Sequence, residues 1–368
     1  MNPSVGVEEE LLLVDPESGA PVPKSAAVIA TASEEVDAEL ELTRSQVELN
    51  SPVCQNSGEI REHLSQMRAA LSRAAEQNGA RLLAVGAPPA GPFELRVTAK
   101  SRYREIARKY GQLAREQGVC GCHVHVDVPD RETAIRVSNY LRPWLPTLLA
   151  LTANSAVYGD GDTGFASWRW IMWSRWPCSG PPPYFESAEH YDALVATMID
   201  MGVILDERMV YWDIRPSSHL PTIEVRVSDV PATVEESVMY ATIVRALVMT
   251  AIAADTPVVI ETEVLKAAYV VAAREGLEGP LVDVHNAAQI TAEQALDNLL
   301  THVRPALEQL GEWTYVNEMV KSVLQNGNGA ARQRKAYQQR QNIHDVLAQS
   351  ATATTRAGTA PSHGGRRC

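Results

Sequence analysis

The sequence predicts an α+β fold, and three observations carry that expectation. Strand-like segments crowd the first 230 residues, an almost unbroken helical pattern runs from Ala232 onward, and the two never settle into regular strand–helix alternation. We expect one domain over residues 1–349, strand-rich over 1–230 with helical support over 231–349. The small, polar, Gly- and Pro-bearing stretch 350–368 reads as a disordered tail.

Taken in order, residues 6–14 read as a strand and 39–51 as a second, more polar one. Asn56 with Glu59 suits a helical capping box. Ile60, Leu64, Met67 and Leu71 then recur at helical spacing, and Gly79 is a natural stop. A short strand over 81–87 leads into the turn-forming Pro88, Pro89 and Gly91. Residues 101–117 form a basic amphipathic helix ended by Gly118, and 119–128 a strand. Asp130 caps a helix that Pro143 and Pro146 interrupt. Residues 160–183, rich in Gly, Pro, Trp and Arg, read as a long ordered loop with little regular structure. Two more strands are expected over 211–216 and 222–228. The helices beyond are punctuated by Pro257, 276–280, Gly311 and 326–329.

Composition excludes several classes. The formal charge of −12 argues against a nucleic-acid partner, because phosphate backbones need a basic face. The longest apolar runs, such as 145–151 and 241–254, are too short or interrupted to span a bilayer, so no membrane partner is expected. No signal peptide is legible at 1–6, and five unpatterned cysteines suggest reduced thiols, so the expected compartment is cytoplasmic.

The informative feature is where ionisable residues fall on the strands, whose side chains alternate between faces. Glu8 and Glu10 project to one side, opposite Val7, Leu11 and Leu13. Glu9 falls on the apolar side, which suggests a position near a sheet edge. In the second strand Arg44, Gln46, Glu48 and Asn50 share a face. In the third His123, His125 and Asp127 do, opposite Cys122, Val124 and Val126. In the last, Glu224 and Arg226 lie opposite Ile223, Val225 and Val227.

A solvated sheet face would give the same alternation. Such faces are usually filled with Lys, Thr and Ser, however, and lysine is absent from all four strands. Adjoining strands would gather Glu8, Glu10, Glu48 and Glu224 into a self-repelling cluster unless cations neutralised it. Oxygen ligands with an imidazole suit Mg²⁺ or Mn²⁺. Zinc is disfavoured, because alternation puts Cys120 and Cys122 opposite the histidines.

At these residues the chain resembles the glutamate–cysteine ligase type 2 (carboxylate–amine ligase) family of the glutamine synthetase-like superfamily. The resemblance runs from residue 6 to about residue 254, and more weakly beyond. It is carried by Gly6-Val-Glu-Glu-Glu-Leu, Arg44-Ser-Gln-Val-Glu-Leu-Asn-Ser-Pro, Gly121-Cys-His-Val-His-Val, Tyr211-Trp-Asp-Ile-Arg-Pro-Ser and Thr222-Ile-Glu-Val-Arg. Leu141-Arg-Pro-Trp-Leu-Pro, Asp162-Thr-Gly-Phe-Ala-Ser-Trp-Arg and Arg175-Trp-Pro also look like this family. Gly86-Ala-Pro-Pro departs from it, since members more often carry Thr or His after that glycine.

The resemblance implies a curved, mainly antiparallel sheet whose concave face holds Mg²⁺ (or Mn²⁺) and ATP. It matches Glu8, Glu10, Glu48, His123 and Glu224 to metal ligands, and Glu41 less securely. It puts His125, Arg215 and Arg226 at the nucleotide phosphates, with Arg215 and Arg226 as the catalytic cations. Arg44, Arg169 and Arg175 become candidates for holding the α-carboxylate of an amino-acid substrate. The implied reaction joins the γ-carboxylate of glutamate, or a similar carboxylate, to an amine such as cysteine through an acyl phosphate. Residues 160–183, with Trp168, Trp170, Trp173 and Trp176, would be the lid that keeps water out. A homo-oligomer is expected, as such enzymes commonly self-associate. Two rival readings are a phosphotransferase acting on an amine or guanidino group and a non-catalytic sensor of ATP or an amino acid. A metal-dependent amidohydrolase is disfavoured, because His190, His219 and His285 lie in helix or loop contexts.

Overall fold

The structure, a computed structural model, describes residues 2–33, 35–254 and 258–356. Its centre is a seven-stranded sheet of β1 (Val5–Val14), β2 (Ala38–Leu40), β3 (Gln46–Asn50), β4 (Arg81–Leu83), β5 (Gly121–Asp127), β6 (Ile214–Pro216) and β7 (Thr222–Asp229). The order is β2-β3-β1-β5-β7-β6, with β4 pairing the far end of β1, and every pairing is antiparallel. The expected mixture of helices and antiparallel sheet is therefore present.

Strand alternation sorts the side chains as the sequence implies. Val5, Val7, Val124, Val126, Ile223, Val225 and Val227 turn to one side and pack on Val238, Ile243, Val244 and Leu247. Those four belong to the helix Val234–Ala253, which the chain's short apolar runs do not announce at full length. At 20 residues it is long and apolar enough to cross a membrane, but here it is the core helix, with 83% of its apolar window buried in the protein. Each fully buried Val, Leu or Ile contributes roughly 1.5–3 kcal/mol of transfer free energy, so this face dominates the stability.

Glu9 is the exception on that face, and its place corrects the edge expectation. β1 is flanked by β3 and β5, so Glu9 is central and fully buried. Its two carboxylate oxygens each take a 2.7 Å hydrogen bond from Arg68, and Oε1 also accepts from Ser237 Oγ at 2.6 Å. Arg68 comes from the helix Ser57–Gln77, which starts as expected, with the Asn56 side chain accepting from Glu59 N at 3.0 Å.

Other expectations are corrected locally. Residues 39–51 are not one strand: Thr43 and Ser45 are buried in a turn between β2 and β3, and Arg44 is exposed there. The helix expected over 101–117 breaks at Gly111, whose φ of 56° suits glycine, giving Ser101–Tyr110 and Gln112–Arg115. The segment 160–183 is more regular than expected. It contains the helix Trp168–Trp173, capped by Ser167 and held against the sheet. The helix Ile343–Thr355 carries order past residue 349, because Thr354 Oγ1 accepts a buried 2.8 Å bond from Ala84 N. The remainder of the expected tail, residues 357–368, and the break expected at Pro257 lie outside the described residues.

Candidate active site

The face of the sheet turned away from the core helix forms the floor of a cleft of about 890 Å³. Strand register brings the predicted residues into rows across it. Glu10 stands opposite Glu48, and Glu8 opposite His123. His125 stands opposite Glu224, which in turn faces Arg215. Between β5 and β7 the register shifts, with the step from Cys122 to Val124 matched by the longer step from Ser228 to Val225. Such a bulge re-aims side chains locally. Here Arg226 Nη1 comes 3.3 Å from His123 Nδ1 while Glu224 keeps its place opposite His125.

One side of the cleft is charge-compensated. Glu8 Oε2 lies 3.2 Å from His123 Nδ1, and Glu8 Oε1 lies 3.1 Å from His125 Nε2. Glu224 pairs with Arg226 and accepts from Arg215 Nε at 2.7 Å. Burial opposes ionisation of both carboxylates. Hydrogen bonds from the two histidines nevertheless hold Glu8 below its ordinary range, and Arg215 and Arg226 hold Glu224 well below its own. Burial, then the Arg226 charge, pulls His123 down to about 4, so it is a neutral imidazole near neutral pH. His125 is shifted the other way: burial lowers it, but Glu8 and Glu224 outweigh burial.

The opposite side has no such compensation. Glu10, Glu41 and Glu48 converge beside Glu39. Burial raises all three, with the Glu41 charge adding to the effect at Glu10 and Glu48. Glu10 is pushed up to about 7 even though its Oε2 accepts from Gly121 N at 2.6 Å. Tyr103 Oη donates to Glu41 at 3.0 Å, and burial, reinforced by that carboxylate, pushes the phenol up.

This donor set fits hard divalent cations. Ligand atoms of Glu8, His123 and Glu224 lie within 4.8 Å of one another, and Nε2 of His123 is buried without a hydrogen-bond partner. A second cation would offset the repulsion among Glu10, Glu41 and Glu48. Cys120 and Cys122 are buried in hydrophobic clusters as free thiols, and neither lines the cleft.

The three arginines expected at a substrate carboxylate fare differently. Arg44 is exposed in the turn before β3 and does not line the cleft. Arg175 is half-exposed, donates to Glu116 at 2.8 Å and is likewise outside the lining. Arg169 is buried against Gly121, and its Nη2 reaches the Arg226 carbonyl at 3.4 Å. Its Nε and Nη1 have no partners, so it sits beside the floor without lining it. The tryptophan segment is a wall rather than a free flap. Trp170 stacks on Tyr269 with centroids 5.4 Å apart, while Trp173 and Trp176 line the cleft with Tyr211.

Sequence reasoning missed Gln117 and Tyr103. Gln117 lines the cleft with both side-chain amide atoms buried and unpartnered, which marks it as a contact for a polar ligand group. Nothing in its local pattern, a glutamine between a helix and a glycine, announces that.

Two solved structures share this fold. A bifunctional glutathione synthetase from Pasteurella multocida matches 96% of this chain with a TM-score of 0.71 at 18% identity; this chain spans only 53% of that one. Glutamate–cysteine ligase from Francisella tularensis, solved in complex with AMP, matches 98% of this chain and 90% of its own, with a TM-score of 0.70 at 14% identity. Fold, cleft and family together define the class, an ATP-dependent ligase that joins a carboxylate to an amine. The description of glutamate–cysteine ligase family 2 matches residues 4–349, and the chain belongs to that family. Two relatives extend the match. The chain provisionally named glutamate–cysteine ligase 2-3 in Mycolicibacterium smegmatis is 52% identical over 96% of this chain and 98% of its own. The one provisionally named 2-1 in Nocardia farcinica is 52% identical over 98% and 95%.

Proposed function

We propose that this ligase joins the γ-carboxylate of glutamate, or a similar carboxylate, to an amine such as cysteine, through an acyl phosphate made from ATP. The observation that carries the reading is the split floor of the cleft. One cluster combines Glu8, His123 and Glu224 with two arginines, and beside it stands an uncompensated trio of glutamates. Two cation sites side by side are what phosphoryl transfer to a carboxylate requires.

When bound, Mg²⁺ or Mn²⁺ would neutralise the phosphates and orient the substrate carboxylate. Glu8, His123 and Glu224 would hold one ion, and Glu10, Glu41 and Glu48 another. Arg226, whose Nε is buried and unpartnered, would donate to phosphate oxygens, with Arg215 beside it and His125 flanking the nucleotide. Gln117 would receive a polar group of the amino-acid substrate, with Arg169, beside the floor at Gly121, contributing charge. The aromatic wall of Trp173, Trp176 and Tyr211 would shield the acyl phosphate from water. We place the enzyme in the cytoplasm, where ATP is available and the four described cysteines would remain the free thiols they are here.

Purified protein supplied with ATP, Mg²⁺ and glutamate, with and without cysteine, tests the reading. Phosphate release dependent on both amino acids and an amide product by mass spectrometry support it. A phosphorylated amine without amide would favour the phosphotransferase, and nucleotide binding without turnover across an amine panel the sensor.

A further inference from the structure

The cleft is a poor attractor for the nucleotide it is assigned. Carboxylates outnumber arginines in its lining by eight to four, and the whole chain carries −12. A triphosphate approaching from solvent meets net repulsion until cations are seated.

Charge is distributed very differently along one rim. Residues 94–116 hold seven Lys and Arg against three Glu, a local +4. The helix Ser101–Tyr110 contributes Arg102, Tyr103 and Ile106 to the cleft wall, so this segment borders the opening directly. Its other cations turn to solvent: Arg96, Lys100, Arg104, Arg108, Lys109 and Arg115 are all exposed. Arg102 pairs with Asp206, but among the described residues none of those six makes an ion pair. Backbone contacts tie the segment together, with Leu95 N donating to Arg115 O at 2.8 Å and Lys100 Nζ to Leu40 O at 3.1 Å. The second contact sets the patch beside the acidic edge formed by Asp37 and Glu39. Unpaired surface cations gain little for stability, so the fold alone gives no reason to gather them here.

We propose that this basic rim is an electrostatic guide that captures polyanionic nucleotide from solution and delivers it into the acidic cleft. The proposal rests on the nucleotide assignment made above. A focused patch of this kind raises association rates by roughly 10- to 1000-fold, and the effect falls steeply with ionic strength. The rim acts on encounter; none of the six cations lines the cleft, and Lys100, whose charge is felt at Glu41, is left in place in the test below.

The test is stopped-flow association of a fluorescent ATP analogue with Mg²⁺, comparing two triple variants of equal charge change. Arg104→Ser/Arg108→Ser/Lys109→Ser neutralises the rim. Lys266→Ser/Arg304→Ser/Lys321→Ser removes three exposed cations elsewhere. The rim variant should associate roughly tenfold more slowly at low ionic strength, with dissociation rate and turnover at saturating nucleotide unchanged. The difference should vanish near ~0.5 M salt, where the Debye length is only a few ångströms. The control should match wild type. Equal rates for the two variants, or a loss that persists at high salt, overturn the proposal. Wild type that binds no nucleotide would remove the nucleotide assignment together with this proposal, whereas binding at unaltered rates removes this proposal alone.

Discussion

Glu8 stands directly opposite His123 in the β1–β5 ladder, and its one carboxylate reaches two imidazoles, His123 at 3.2 Å and His125 at 3.1 Å. That geometry links three neighbouring strands across the cleft floor, because His125 in turn faces Glu224 on β7. Loss of either end should disable the whole row. His123→Ala and Glu224→Gln are each expected to lower turnover by roughly 10²- to 10³-fold, the cost of a lost electrostatic group in a preorganised site. Circular dichroism should remain native. Near-normal rates in either variant would refute the metal assignment.

The uncompensated trio leads to a change of sign. In metal-free protein, Glu48→Gln removes a carboxyl whose ionisation is opposed first by burial and then by the charges of Glu41, Glu8 and Glu10. Its Tm in EDTA should therefore rise by about 1–2 °C, corresponding to ~1 kcal/mol at the unfolding entropy of a chain of this length. With saturating Mn²⁺ the order should reverse, because wild type gains from ligand binding what the variant cannot. Thermal melts in the two conditions check both halves.

Metal binding should also follow pH through Glu10. Its pKa of about 7 means the metal-free carboxyl is mostly protonated at pH 6 and must release that proton to become a ligand. Apparent Mn²⁺ affinity should weaken as pH falls from 8 to 6, and proton release should appear as a buffer-dependent enthalpy in calorimetry. The stability linkage has the matching sign. A carboxyl raised in the folded state contributes stability fully present below its unfolded pKa and lost as pH rises through about 7. The Tm difference between Glu10→Gln and metal-free wild type should accordingly grow between pH 5 and 8. A pH-independent difference would contradict it.

The Glu9–Arg68 pair behind the sheet makes a separate prediction. Breaking a fully buried pair leaves one charge stranded, at a cost of about 3–5 kcal/mol. Arg68→Met should lower the unfolding free energy extrapolated from urea titration by that amount. Glu9→Leu/Arg68→Met should recover much of the loss, since an apolar replacement of both partners is often neutral. A double variant as unstable as the sum of its parts would count against the account.

Much of this was legible in the sequence where alternation is strict. Period-two patterning alone puts Glu8 with Glu10, His123 with His125, and Glu224 with Arg226, and the structure keeps those groupings in one cleft. The same logic stopped at Arg44, because the strand it assumed bends into a turn just there. Glu9 looked like a residue needing an edge, since its partner lies 59 positions away on a helix and no local pattern points to it. The tryptophan segment read as loop because its anchors are remote. Asp229, at the end of β7, takes hydrogen bonds from Asn154 N, Ser155 Oγ and Ser167 Oγ, fixing that stretch from outside. Gln117 was invisible for the same reason: its importance lies in what surrounds it.

Three consecutive glutamates begin the work of β1, and sliding that strand by one residue would swing Glu8 and Glu10 into the hydrophobic interior. Arg68 can match only one inward carboxylate, as it does Glu9 now, so either slip would leave a second glutamate buried without a partner. The rear ion pair thus works as a lock on alignment, ensuring that the strand enters the sheet with its ligating side chains outward.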